Sequence, residues 1–100
     1  MALIYEVTVT VAAEDAAEFE SYMTAQHIPD VLGTGCFTDA LLAKEGSDYR
    51  TYYNVDSRDD LDRYIAEHSP RLRCDVIDRF GGRIQISRRI LEIVQAFPGK

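Results

Sequence analysis

The chain has 100 residues, 46% of them apolar and 28% charged, which is the composition of one ordinary globular domain large enough to hold a single core. Its net charge of −6 works against nucleic acid or an anionic membrane surface as a partner. No apolar run approaches the roughly 20 residues that cross a bilayer. The start, MALIYEV, lacks the basic head of a signal peptide, so the expected location is cytoplasmic.

Leu3 to Val11, LIYEVTVTV, alternates apolar and polar positions and is rich in β-branched residues, so it reads as a strand. Its apolar face needs covering, and its other face is polar without the Lys/Glu mixture of a freely solvated surface. Ala12 to Asp15 make a turn. A helix follows, opened by Glu14 or Asp15 and striped with Ala16, Phe19, Tyr22 and Met23. Pro29 disfavours helical geometry in the residue before it, so this helix is expected to end near His27 or Ile28. Pro29 to Leu32 then form a short turn closed by Gly33.

Cys36 to Glu45 is the second strand, and apolar residues on both its sides leave its register open. Gly46-Ser47-Asp48 is a hairpin turn, and Tyr49 to Asp56 the third strand. Ser57 caps a second helix with Asp60 at capping-box spacing. That helix buries Leu61, Ile65, Leu72 and Val76 and should kink at Pro70. Gly81-Gly82 ends it, and Arg83 to Val94 is the fourth strand.

The order β-α-β-β-α-β predicts a ferredoxin-like α+β fold, with two helices on one face of a four-stranded antiparallel sheet. Residues 1–94 form the domain and residues 95–100 a tail. On the face left open, Glu6, Thr8 and Thr10 meet Arg50, Tyr52 and Asn54 of the third strand and Gln85, Ser87 and Arg89 of the fourth. A Glu6–Arg89 ion pair is expected, although the spacing does not decide whether Arg88 or Arg89 takes that side. Ile4, Leu91 and Ile93 share the face. That much apolar surface is expected to be covered by a second copy of the chain, giving a dimeric α/β barrel with a small polar cavity under each sheet.

Ile4-Tyr5-Glu6-Val7, the run His27-Ile28-Pro29-Asp30-Val31-Leu32 leading to Gly35-Cys36-Phe37, Glu67-His68-Ser69-Pro70-Arg71-Leu72-Arg73, Arg79-Phe80-Gly81 and Arg88-Arg89-Ile90-Leu91 together resemble one small bacterial family, the domain of unknown function 4286. The resemblance covers nearly the whole chain. It implies the dimeric α/β-barrel superfamily, with no activity and no catalytic residues to carry over. His27-Ile28-Pro29 also resembles the His-x-Pro near the end of the first helix in EthD-like members of that superfamily. Some of those relatives are cofactor-free isomerases, cyclases or monooxygenases.

His27 is the candidate catalytic residue, an acid/base group at the barrel mouth with Asp30 near enough to orient it. The bland alternative is a histidine that stabilises its own helix end. Arg89 is the candidate anion holder; Glu6, Thr8, Tyr52 and Asn54 complete the candidate ligand set. His68 lies on the apolar stripe and reads as a packing residue. Arg71, Arg73 and Arg79 complement a helix end, a phosphate or carboxylate site being the functional alternative. Cys36 and Cys74 read as free thiols. No metal motif and no cofactor motif is present.

Two functions remain open from the sequence. One is a small-molecule-binding protein with cofactor-free acid/base chemistry on a small organic acid or carbonyl compound. The other is a non-catalytic homodimeric binding module whose polar face sets subunit register. Full mutual satisfaction of Glu6 and Arg89 would favour the module; an isolated, unpaired charge in the lumen of the barrel would favour the enzyme.

Overall fold

The computed structural model describes residues 2–99. Its four strands are β1 (Leu3–Val11), β2 (Asp39–Glu45), β3 (Asp48–Val55) and β4 (Ile84–Glu92). They form one antiparallel sheet in the order β2-β3-β1-β4, the ferredoxin-like arrangement expected from the sequence. Gly46 and Ser47 join β2 to β3, and Gly46 takes a φ of +58° that suits glycine at the first position of a tight hairpin turn.

All the helices lie on one face. Leu3, Tyr5, Val9 and Val11 of β1 and Tyr49, Tyr53 and Val55 of β3 point into the core beneath them. Ala40 and Leu42 pack on that side, which settles the register of β2: Leu41 and Ala43 take the open face. The strand begins at Asp39, later than expected, because Cys36 and Phe37 are buried in the approach to it. On β4, Ile84, Ile86 and Ile90 pack inward, so Arg88 belongs to the helix side and Arg89 to the open side.

The first helical run does not stop before Pro29. Helix α1 (Ala16–Tyr22) passes into a π turn (Met23–His27), then into α2 (Ile28–Leu32), which Gly33 closes through a 2.9 Å bond from its N–H to the Pro29 carbonyl. The reason is steric. In a continuous α-helix the Pro29 ring would press on the Ala25 carbonyl and leave it without a donor. One wider turn, seen in the Ile28 N–H bonding back to the Met23 carbonyl, relieves both problems and lets the helix run on. Val31, wholly buried, anchors the extension.

Around Pro70 the expected kink is a full break. Helix α3 (Arg58–Glu67) and helix α4 (Ser69–Phe80) meet at His68, whose backbone is non-helical. The Ser57 hydroxyl accepts the Asp60 N–H at 3.2 Å, so the predicted cap is present. His68 is half-buried against the Tyr64 ring, with centroids 6.4 Å apart. Both cysteines are free, Cys36 buried and Cys74 exposed. Among the described residues no helix is long and apolar enough to cross a membrane.

Candidate functional site

The open sheet face holds most of the residues that the sequence proposed for a ligand. Antiparallel register sets Leu41, Tyr52, Glu6 and Arg89 in one row and Ala43, Arg50, Thr8 and Ser87 in the next. Glu6 is only 3% exposed, and both its oxygens are engaged by Arg89, at 2.8 Å from Nε and 3.2 Å from an Nη. Arg50 donates to the Thr8 hydroxyl at 3.4 Å and stands 3.9 Å from Glu6, with Asp48 and Glu45 on its other side. The Asn54 amide donates to Asp39. The charges of Glu6, Arg50 and Arg89 therefore already have partners. The hydrogen bonds of Arg89 to Glu6 and that carboxylate's charge only strengthen its hold on its proton.

His27 is not among them. It lies across the sheet, on the wall of a partly open space of about 40 Å³ between helices and strands. This corrects the expectation of a polar cavity shared by His27, Glu6, Tyr52 and Arg89. The sheet separates the two groups because position 27 belongs to the helical layer, while the even-numbered positions of β1 face away from it. The π turn sets Met23 and His27 on one side, toward the sheet, and the imidazole stacks on Tyr22 with centroids 5.8 Å apart.

The cavity wall is mostly apolar, with Val7, Val9, Leu72 and Val76 contributing, but its polar groups converge. Tyr5, Tyr53 and Tyr64 form one aromatic cluster with Phe37, ring centroids lying 4.7 to 6.2 Å apart. Burial pushes the Tyr64 phenol up to about 12 and the Tyr53 phenol higher still, so both are proton-bearing donors at neutral pH. Burial pushes the His27 imidazole below its usual 6.5; the Asp30 and Asp75 carboxylates offset part of that, and the charge on Arg88 adds to it. A neutral imidazole has a free nitrogen lone pair, the state of a general base.

Arg73 of α4 and Arg88 of β4 also line this space. The sequence offers Arg73 only among the arginines of a helix end and leaves the side of Arg88 open. The two consecutive arginines of β4 hide the alternation, yet the inward isoleucines at 84, 86 and 90 were signal enough to place Arg88. Tyr5, Tyr53 and Tyr64 are not among the residues that the sequence singled out for a site. A buried tyrosine needs somewhere to put its hydroxyl, and three on one face point to a polar spot inside the apolar layer. Among the described residues no group of His, Cys, Asp and Glu side chains is placed to hold a metal ion.

A four-stranded sheet backed on one face by helices, with a small mixed cavity between the layers, defines a ferredoxin-like α+β protein. Known structures share that fold. SnoaB, a cofactor-independent oxygenase from Streptomyces nogalater, superposes as a variant with a TM-score of 0.76 at 17% identity, covering 98% of each chain. An ethyl tert-butyl ether degradation (EthD) family protein from Bacillus halodurans gives 0.70 at 13% identity over 92% of this chain and 99% of its own. A dimeric ferredoxin-like protein from an uncultured marine organism gives 0.69 at 11% identity over 99% and 100%. No curated protein matches the sequence. Residues 2–94 match the family described as a domain of unknown function, DUF4286, and the chain belongs to that family.

Proposed function

We propose that the protein is a homodimeric small-molecule-binding enzyme that moves protons on a small organic acid or carbonyl compound, with His27 as the base. The observation that carries this reading is the half-buried His27 imidazole on the cavity wall, held neutral opposite phenols that stay protonated. The chemistry balances within the chain. The imidazole takes a proton from a carbon next to the substrate carbonyl. The electron pair moves onto the carbonyl oxygen, where tyrosine hydroxyls donate hydrogen bonds to it, and the imidazolium returns the proton to the same or a neighbouring carbon. The cofactor-independent oxygenase of the same fold supports a site built from side chains alone.

The dimer is supported by the open face. Leu41 is 62% exposed beside the partly buried Ile4, Tyr52 and Leu91, and a neighbour of the same fold is a dimer. Glu6, Tyr52, Arg89, Thr8 and Asn54 then serve subunit register, and the ligand site is on the helix side.

The test is solvent exchange in D2O, followed by proton NMR on a panel of short 2-oxo and 3-oxo acids. The wild-type protein is expected to wash out the signal of the hydrogens next to the carbonyl, and His27→Asn to leave it at the buffer rate. Exchange by neither protein leaves the non-catalytic module, and exchange equally by both overturns His27 as the base.

A further inference from the structure

We propose that Arg73 and Arg88 form a carboxylate subsite at the mouth of the cavity, and that the ligand is a short-chain carboxylate with its apolar end inside. This rests on the cavity being the ligand site and adds the ligand's chemical class.

The first observation is charge. The chain holds 17 acidic residues against 11 basic ones, so a guanidinium should easily find a carboxylate. Arg50, Arg58, Arg63, Arg83 and Arg89 do; among the described residues Arg71 and Arg79 do not, but neither lines this cavity. Arg73 and Arg88, on different elements, converge on one cavity, and among the described residues no carboxylate lies within 4.0 Å of either. Two like charges gathered without a counter-ion are unfavourable in the empty protein. Burial and the neighbouring Arg73 both weaken the hold of Arg88 on its proton, while a hydrogen bond with Tyr5 supports it. An anion between the two removes the repulsion, and planar guanidinium groups match the two oxygens of a carboxylate.

The second observation is shape. Both arginines keep exposed surface, so they stand at the rim, while Val7, Leu72 and Val76 line the interior. About 40 Å³ accepts roughly three water-sized groups. That excludes a large ring system unless the layers part, and it suits a short aliphatic tail. A molecule held by its carboxylate at the rim would lay its first carbons along the wall that carries His27.

The experiment is an NMR titration with butyrate and with butyramide, its uncharged counterpart of nearly equal shape. Butyrate is expected to move the resonances of His27 and Tyr5 and to bind about tenfold more tightly than butyramide. Arg73→Met and Arg88→Met should each weaken butyrate about tenfold and leave butyramide unchanged. Arg71→Met, on the same helix outside the cavity, is the control and should change neither. Equal binding of the two compounds at the cavity overturns the arginine subsite while the cavity reading stands. Butyrate that moves no cavity resonance overturns both.

Discussion

Replacing His27 by asparagine should remove a pH dependence of stability that a buried neutral imidazole gives the wild-type protein. The perturbation removes a ring stacked on Tyr22 at 5.8 Å. Such a contact is worth about 0.5–1.5 kcal/mol. In a domain of this size the melting midpoint then falls by roughly 2–12 °C at pH 8, at about 4–8 °C per kcal/mol. The wild-type imidazole titrates at 6.5 when unfolded and lower when folded. Between those two values the unfolded chain binds more protons than the folded one. Wild-type stability is therefore full above pH 6.5 and is lost as the pH falls toward the folded value, by at most about 1.4 kcal/mol per pH unit for one proton. The variant lacks this loss. Urea denaturation of both proteins at pH 8, 7, 6 and 5 should show the wild-type advantage shrinking as the pH drops below 6.5. An advantage that stays constant, or grows on acidification, would refute a buried neutral His27.

Three further outcomes are expected. Light scattering at micromolar concentration should give twice the 11.3 kDa chain mass, and a clean monomer would remove the second copy from the open face. Glu6→Gln and Arg89→Met should each lower the urea midpoint, and the double variant should recover part of the loss, because either single change strands a partner of a bidentate pair; simply additive effects would show that the pair does not couple. Ser57→Ala should cost about 0.5–2 kcal/mol by freeing the Asp60 N–H at the start of α3, and an unchanged midpoint would show that this cap contributes nothing.

Much of the fold can be read from residues two apart. The alternation of β1 places Glu6 opposite Arg89, and that pairing is found. Where two local rules met, the sequence was less legible. Pro29 disfavours helix in the residue before it, but a wider turn absorbs the conflict, and the buried Val31 and half-buried Ile28 hold the continuation against the core. Pro70 breaks its helix rather than bending it, because the break falls two residues earlier, at the non-helical His68, and leaves the proline in the first turn of α4. The candidate site was harder to see for a related reason. Polar residues on a strand draw attention to the polar face, yet there they satisfy one another. The polar groups that line the cavity come from Tyr5, Tyr53 and Tyr64, which sit among apolar core positions, and from Arg88, whose side is obscured by its neighbour Arg89.

The most direct measurement of where this protein holds a small molecule is electron density from a crystal soaked in 2-oxobutyrate. The expected result is density between helices and sheet, its carboxylate at Arg73 and Arg88 and its carbonyl end beside His27 and the tyrosines. Density over Glu6 and Arg89 on the opposite face, with the helix-side cavity empty, would contradict the account.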